Sequence, residues 1–267
     1  MHIVVCAKQV PHPETPAGQF RIDEAARKVE PVPGVPLVMS PFDEQAVEAA
    51  LRIREGTPGT RITVLTLGPE SARNALKHGL AMGADEAVLL NDVAFDGSDG
   101  YATAFVLAAA IRKIGAVDLI LAGRQAADDD AGVVGAGIGE VLGVPMISFA
   151  SDVKVVDSHV RVERVLDDGS EIVEAPLPAV ATVSNEIGEA RKPSLRETMR
   201  AARKPIVLWN AAQLGLAADR VGAAGARCIV ERVYAPVKEN RCEMMSGDTP
   251  NEQAAQLVSR LRSAKLL

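Results

Sequence analysis

The residues with the clearest chemical potential follow an apolar run at residues 118–122, which has the length of one buried strand. The chain leaves this run at Gly123, crosses an acidic loop, and becomes rich in small residues from about Ala131, where the sequence predicts a helix. In open α/β sheets, ligands bind where a strand leads into a helix N-terminus. The first N–H groups of a helix have no partner inside it, so they can bind a phosphate. The donors predicted here are the backbone N–H groups of Gly132, Val133, Val134 and Gly135.

Three consecutive aspartates, Asp128, Asp129 and Asp130, precede these donors and oppose an anion unless they point away. Asp is also a preferred N-cap residue, so the alternative interpretation is that the aspartates only cap the helix. Gly132 and Gly135 favour the phosphate site, because a residue without Cβ lets a ligand approach the backbone. On this stretch alone, the two interpretations stay open.

No catalytic arrangement emerges elsewhere. The four histidines lie in different predicted elements, and the sequence contains no nucleophile elbow, P-loop or zinc-binding His/Glu helix. The glycines at 135, 137 and 139 imitate a dinucleotide fingerprint, but their spacing is wrong and they fall within a helix. They are more typical of close helix-to-sheet packing. The first strand exit, KQVPHP, has no glycine, which excludes a nicotinamide Rossmann enzyme.

The amino-acid composition further limits the class of protein. The 267 residues are 48% hydrophobic but only 3% aromatic, which is typical of a Val/Leu/Ile/Ala core around a parallel sheet. The net charge of −6 argues against nucleic-acid binding. No apolar stretch reaches the roughly 20 residues that span a bilayer, so no membrane insertion is expected. The start of the chain enters a strand with no basic leader, and the three cysteines are far apart, so we expect a cytoplasmic protein with unpaired thiols.

Strands and helices alternate through the first half of the chain. Predicted strands lie at 2–7, 61–67, 87–90 and 118–122, separated by helical patterns that include 43–55 and 101–114. This alternation predicts an α/β fold with a doubly wound, mostly parallel sheet of the Rossmann-like, adenine-nucleotide-binding type. Residues 23–38 read as irregular.

The pattern changes after Gly143. Residues 153–156, 159–166 and 170–175 predict an antiparallel β extension, with a hairpin turn at 167–169. A polar loop at 185–193 and a short basic helix at 194–202 follow. We therefore expect a nucleotide-binding domain at 1–205, including the extension and this loop, and a C-terminal arm at 206–267. The arm is loose at 235–250 and ends in an amphipathic helix at 251–264, which needs another surface, its own or a partner's, to pack on.

Loops at the carboxyl ends of the predicted strands share one edge of the sheet. They are residues 6–10, 67–68 and 123–135, and the segment SPFDE at 40–44 can fold over the same edge. Such loops line a crevice that suits a nucleotide. The residues alone thus predict a nucleotide-binding protein without evident catalysis.

Several longer motifs resemble the β subunit of electron-transfer flavoproteins, including FixA-like members. They are VCAKQVP, SPFDEQAVEAALR, ALAMGADEAVLL, DLILAGRQAADDDAGVVG and, most specifically, LPAVATVSNEIGEARKPSLRETMRAARKPI at 177–206. The resemblance implies one half of a heterodimer, in which the α subunit holds most of a redox-active FAD and the β subunit buries an AMP. It implies an electron carrier, not itself an enzyme, that takes electrons from acyl-CoA or similar flavin-dependent dehydrogenases. A membrane quinone reductase or another protein would accept them.

The resemblance also assigns residues. Phe42 would face the flavin, or else anchor its loop, and Pro193, Ser194 and Leu195 match an exposed loop whose leucine docks into dehydrogenases. The cofactor-binding residues that it implies are Cys6, Ser40, Pro41, Phe42, Asp43, Leu67, Gly123, Arg124, Gln125, Ala126, Ala127, Asp128, Asp129, Asp130, Ala131, Gly132, Val133 and Val134.

Two other functions stay open. One is a stand-alone adenine-nucleotide sensor or hydrolase, against which the long tail and the block at 177–206 argue. The other is a bifurcating β subunit that binds a second FAD in place of AMP and oxidises NADH. The triple aspartate resembles the AMP-holding branch, whereas Val134-Gly135 resembles the bifurcating branch. A pyrophosphate would need nearby cations, and only Arg124 and Lys8 are expected there, so the sequence favours AMP.

Overall fold

Short runs of Val, Ile, Leu and Ala form the buried strands at the centre of the molecule, as expected for a sheet covered on both faces. The computed structural model describes residues 1–236 and 242–267. In chain order, the strands within these residues are β1 (His2–Cys6), β2 (Gln9–Pro11), β3 (Phe20–Asp23), β4 (Lys28–Pro31), β5 (Leu37–Met39), β6 (Arg61–Leu67), β7 (Glu86–Leu90), β8 (Leu119–Gly123), β9 (Met146–Val156), β10 (His159–Leu166), β11 (Gly169–Pro176), β12 (Ala179–Val183) and β13 (Val207–Trp209). The α-helices are α1 (Pro41–Gly56), α2 (Arg73–Met82), α3 (Gly100–Ile114), α4 (Val134–Leu142), α5 (Leu195–Arg203), α6 (Gly222–Gly225) and α7 (Pro250–Ser263).

The main sheet has the strand order β11-β10-β9-β12-β8-β1-β6-β7-β13. Every pairing from β9 to β13 is parallel, and only β10 and β11 run antiparallel to their neighbours. The chain winds from β1 through β6 to β7 on one side, then returns to β8 on the other side of β1. The predicted doubly wound, mostly parallel sheet with an antiparallel extension is confirmed. Its topological switch point lies between β1 and β8, which is where this class of sheet opens a crevice.

Two hydrophobic clusters cover the two faces of the sheet. One joins α1 and α2 to the sheet through residues such as Leu51 and Leu76. The other joins α3 and α4 through Leu107, Ile111 and Ile138. Glycine ends the helices where the chain must turn back, and Gly143 after α4 takes the left-handed conformation with φ of 72°. This three-layer packing fixes the strand ends that form the candidate site.

Several local expectations were wrong. Residues 23–38 are not irregular throughout, because β3 pairs with β4 and β5 pairs with β2 in two small antiparallel ladders. β9 begins at Met146, well before the predicted residue 153, since its first half pairs with β12 and its second half with β10. The hairpin turn is confirmed, with Leu166 opposite Gly169. These differences reflect pairing partners that are distant in the sequence.

The segment after residue 205 begins on the main sheet. β13 pairs with β7, and Ala211 and Val221 are buried in the second cluster. By contrast, α7 has no buried residue, and its apolar Leu257 is 46% exposed. The division into a domain at 1–205 and an arm at 206–267 stays a prediction, and part of the predicted loose segment, 237–241, lies outside the described residues. None of the helices described is long and apolar enough to cross a membrane.

Candidate functional site

A cavity of about 400 Å³ opens at the switch point between β1 and β8. It lies at the carboxyl ends of the parallel strands and includes the first residues of α4. Its lining residues are Cys6, Ala7, Lys8, Asp43, Leu67, Phe95, Asp96, Gly97, Ser98, Asp99, Gly100, Thr103, Leu107, Ala122, Gly123, Arg124, Gln125, Ala126, Asp129, Ala131, Gly132, Val134 and Gly135. The structure therefore brings together three loops that the sequence placed at this edge.

Asp43 holds the base of the cavity together. Its carboxylate accepts the backbone N–H of Lys8 at 2.7 Å and that of Gly123 at 3.0 Å, so it joins the exits of β1 and β8 to the start of α1. Burial raises the pKa of Asp43 to about 7, although the two backbone donors oppose the shift. Burial likewise raises the pKa of the neighbouring Cys6 thiol to about 12, so this thiol is uncharged at neutral pH. Asp43 therefore links the carboxyl ends of β1 and β8 through hydrogen bonds.

Glycines let the helices approach the strand ends. A methyl group on Gly123 would lie 2.6 Å from the Cβ of Phe42 and 2.7 Å from Oδ1 of Asp43. A methyl group on Gly135 would collide with the side chain of Thr182 on β12. The missing Cβ of Gly135 is thus required for packing against the sheet, as the packing interpretation of the glycine run predicts. Gly135 also lines the cavity, and its role in ligand approach stays a prediction.

The helix after β8 starts later than expected, at Val134 rather than about Ala131. The alternative that the aspartates cap this helix is also wrong, because its N-cap, Val133, has no side-chain cap. Asp129 instead accepts the N–H of Ala131 at 3.2 Å. Within the described residues, no hydrogen bond engages the N–H groups at 132–135. Gly132 has φ of 64°, and the N-terminus of α4 is left with free N–H donors that can bind an anion.

Lys8 neutralises much of the acidic loop. Its Nζ lies 2.8 Å from Asp128 and 3.2 Å from Asp129. Burial lowers the pKa of Lys8, but the hydrogen bonds and charges of Asp128 and Asp129 outweigh this, and the net pKa is raised. Asp130 in turn accepts the side-chain amide of Gln125 at 2.8 Å. The triple aspartate is therefore compatible with an anion at the start of α4, since each of its carboxylates already has a donor.

The sequence analysis missed one wall of the cavity, the connection from β7 to α3 at 95–100. Asp99 caps α3 by accepting the N–H of Ala102 at 2.8 Å, and it also accepts the N–H groups of Arg227 and Cys228 at 2.7 and 2.8 Å. The signal was available, because this connection also leaves the carboxyl end of a parallel strand and reads DGSDG at 96–100. The sequence does not show that this connection lies beside the switch point, because that position depends on the strand order.

Seven of the residues assigned by resemblance do not line the cavity: Ser40, Pro41, Phe42, Ala127, Asp128, Asp130 and Val133. Ser40 is fully buried and its hydroxyl has no partner among the described residues. The guanidinium of Arg124 lies 5.4 Å from the Phe42 ring, and it donates to Ser184 at 3.2 Å. The cofactor-binding roles of the whole set stay predictions.

The loop that carries Pro193, Ser194 and Leu195 lies apart from the cavity, at the start of α5. Ser194 and Glu197 form a capping box, and the side chain of Leu195 is 78% exposed. The loop is held to α1 by Arg191, whose guanidinium donates to both carboxylate oxygens of Glu48, at 2.7 and 3.0 Å. Burial raises the pKa of Glu48, but the bonds from Arg191 and Arg52 outweigh it and keep the net pKa low.

Fold and site together define a doubly wound α/β protein with a crevice at the switch point of its sheet. The comparisons give the family. Residues 34–214 match the model of the electron transfer flavoprotein domain. The chain is 40% identical to the caffeyl-CoA reductase-Etf complex subunit CarD of Acetobacterium woodii, over 100% of both chains.

Two further relatives support this family assignment. The chain is 36% identical to the electron transfer flavoprotein subunit beta of Megasphaera elsdenii, over 100% of both chains. It is 39% identical to protein FixA of Azorhizobium caulinodans, over 88% of this chain and 85% of that protein. The chain belongs to the electron transfer flavoprotein family and is an electron-transfer subunit of its β/FixA type, so the resemblance read from the motifs is confirmed.

Proposed function

We propose that this chain is the β subunit of a heterodimeric electron-transfer flavoprotein whose α subunit holds most of the FAD. The observation that carries the proposal is the cavity at the switch point, because it coincides with the nucleotide site implied by the family. In this proposal, the heterodimer takes electrons from acyl-CoA or similar dehydrogenases and passes them to a quinone reductase or another acceptor. The flavin supplies the redox chemistry when bound, and this chain shields it and presents it to partners.

The cavity fits an adenine mononucleotide. The unpaired N–H groups at 132–135 suit one phosphate, and the apolar side chains of Leu67, Phe95 and Leu107 suit the adenine ring. The volume of about 400 Å³ lies at the small end of the range of cofactor pockets. Because Lys8 is engaged by two aspartates, it is not free to bind a pyrophosphate. We therefore propose AMP as the bound nucleotide.

A second candidate is a bifurcating β subunit that binds a second FAD and oxidises NADH. Two observations favour it. The Nε of Arg124 is buried without a partner among the described residues, which leaves a donor beside the cavity for a further acceptor group. In addition, a relative that matches over its full length is named as a subunit of a caffeyl-CoA reductase-Etf complex.

Nucleotide content separates the two candidates. The chain is co-expressed with its proposed α subunit, and the purified heterodimer is acidified to release its nucleotides for chromatography. One FAD and one AMP per heterodimer support the carrier, whereas two FAD and no AMP support bifurcation. Equilibrium dialysis of the isolated chain against FAD tests whether the α subunit holds most of the FAD. Tight stoichiometric binding without the α subunit would overturn that part of the proposal.

Activity is tested by anaerobic reduction. Purified acyl-CoA dehydrogenases of the same organism, each with its substrate, are mixed with the heterodimer while its flavin absorbance is followed. Bleaching by at least one dehydrogenase supports the proposed function. A heterodimer that no dehydrogenase and no NADH reduces would contradict it and would favour the nucleotide sensor.

A further inference from the structure

The cavity wall at residues 95–100 packs against a segment that follows it by more than a hundred positions in the chain. Val221, only 1% exposed, lies in the same hydrophobic cluster as Phe95 of the wall. Residues 221–228 contact the wall but are not among the residues that line the cavity. We call residues 221–228 the arm clasp, because they belong to the segment predicted to be a C-terminal arm.

Asp99 joins the arm clasp to the cavity. One of its carboxylate oxygens caps α3 by accepting the N–H of Ala102 at 2.8 Å, and the other accepts the N–H groups of Arg227 and Cys228 at 2.7 and 2.8 Å. Burial raises the pKa of Asp99, but these backbone hydrogen bonds outweigh it, and the net pKa is lowered. A single charged side chain of the cavity lining therefore holds both α3 and the arm clasp.

Two arginines attach the arm clasp to α3. The guanidinium of Arg227 lies 3.6 Å from the centre of the Tyr101 ring and donates to its hydroxyl at 2.8 Å. The guanidinium of Arg220, directly before the arm clasp, lies 4.3 Å from the centre of the Phe105 ring, one helical turn further along α3. A guanidinium is attracted to the face of an aromatic ring by the charge distribution of the ring. The arm clasp is thus fixed near both of its ends.

The backbone of the arm clasp fits closely against the wall. The N–H of Ala223 donates to the carbonyl oxygen of Asp96 at 2.9 Å. A methyl group on Gly222, which has φ of 58°, would lie 2.3 Å from the carbonyl oxygen of Ala94 and 2.8 Å from that of Asp96. A methyl group on Gly97 of the wall would lie 3.0 Å from Cβ of Ala223. Because the two segments are close-packed here, a shift of one displaces the other.

We propose that the arm clasp couples nucleotide binding in the cavity to the conformation of the C-terminal arm. The wall contains Gly97, Ser98 and Gly100, so its backbone has wide freedom unless another segment restricts it. With the arm clasp in place, the wall is ordered before the nucleotide arrives, and the nucleotide binds more tightly. By thermodynamic linkage, the nucleotide then stabilises the bound arm clasp by the same factor. The proposal rests on the proposed function, which puts a nucleotide in this cavity, and adds a link from that nucleotide to the arm.

Gly222→Ala tests the coupling at a residue that does not line the cavity. The methyl group displaces the arm clasp from the wall, so the dissociation constant for AMP should rise about tenfold. It is measured by isothermal titration calorimetry on the full-length chain, freed of nucleotide with charcoal. Gly215→Ala is the matched control, because Gly215 also has a positive φ, 67°, and a methyl group on it meets no described atom within 4 Å. Its dissociation constant should stay within about twofold of the wild type.

Hydrogen exchange of the wild-type chain tests the reverse direction. The amides of Ala223, Arg227 and Cys228 donate to the wall, so saturating AMP should slow their exchange by the same factor of about ten. The amides of Leu214 and Leu216 bond to other residues of the arm and should exchange at equal rates with and without AMP. An arm clasp that only stabilised the fold would show the two sets protected alike or not at all.

Two results would overturn the proposal while leaving the proposed function standing. One is an AMP affinity of Gly222→Ala, folded by circular dichroism, that equals that of the wild type. The other is unchanged exchange at 223–228 in a wild type that binds AMP. If Gly222→Ala does not fold, Arg227→Ala replaces it, since it removes an exposed side chain and should raise the dissociation constant about threefold.

The nucleotide itself is tested by the same titrations. FAD takes the place of AMP in both measurements if the wild type binds FAD alone, and the expected factors are the same. A wild-type chain that binds neither AMP nor FAD would overturn the nucleotide site of the proposed function and this inference with it.

Discussion

The crevice and the outward side of α5 are built in opposite ways. The crevice is formed by backbone and by glycines pressed against neighbouring elements, with Gly123 against α1 and Gly135 against β12. The outward side of α5 consists of the long exposed side chains of Leu195, Arg196, Met199, Arg200 and Arg203, on a helix whose Ala201 is buried. A substitution in the crevice therefore disturbs the fold around the nucleotide, whereas one on α5 changes only the contact with another molecule. Under the proposed function, the contrast separates residues that would hold a cofactor from residues that would contact a partner.

The largest effect is expected in the crevice, at Gly123. In Gly123→Ala the new methyl group would lie 2.6 Å from Cβ and 2.9 Å from the carbonyl carbon of Phe42, so α1 must move. We expect a loss of about 3 kcal/mol in the free energy of unfolding and loss of bound nucleotide. Urea unfolding and nucleotide content measure both. Gly56→Ala, at the other end of α1 with no atom within 4 Å, is the control, and equal behaviour of the two variants would contradict the packing argument.

Leu195→Ala tests the exposed side of α5. A buried apolar anchor at an interface contributes roughly 1.5–3 kcal/mol, so electron transfer from the dehydrogenase should slow, with a higher KM. The melting temperature and the bound nucleotide should not change, because the side chain touches little of its own chain. Ile172→Ala, also exposed but on β11, serves as the control. Unaltered transfer, or a clearly destabilised fold, would remove Leu195 from the docking surface.

Glu48 connects the two regions, since it lies on α1 and binds the loop before α5. Glu48→Gln should lower the free energy of unfolding by about 1.5 kcal/mol, because its buried carboxylate accepts charged hydrogen bonds from Arg191 and Arg52. Hydrogen exchange of the amides at 188–199 should also become faster. Glu55→Gln is the matched control, since Glu55 binds the same Arg191 from an exposed position and should matter little. Equal effects would mean that burial of Glu48 is irrelevant.

The last effect depends on pH and concerns the ionisation of Asp43. Its pKa of about 7 lies above the ordinary value of 3.8, so the folded state holds a proton that the unfolded state releases. The stability that Asp43 contributes therefore declines as the pH rises from about 4 to about 7. Asp43→Asn should flatten this part of the stability profile, measured as urea midpoints at several pH values. An unchanged profile would show that the dependence arises elsewhere in the molecule.

The sequence was a good guide to the strands and helices of the α/β region. β6 and the hairpin between β10 and β11 fall where the pattern placed them, since alternation and turn residues are encoded within a few positions. It was also a good guide to three of the loops around the cavity. It failed where an element depends on a distant neighbour. β13 has three residues and no distinctive pattern, and it is a strand because β7 offers an unpaired edge.

What the sequence alone determined, then, is the doubly wound class of the fold, the edge of the sheet that carries the crevice, and, through its longer motifs, the family. Only the tertiary structure decided that 95–100 completes the cavity, that Lys8 neutralises the acidic loop, and that α4 begins at Val134. It also placed the basic helix so that Ala201 is buried while Leu195 and Met199 stay exposed. The physical reason is that periodicity acts between neighbours in the chain, whereas cavity walls and ion pairs join residues about a hundred positions apart, which only the packed strand order brings together.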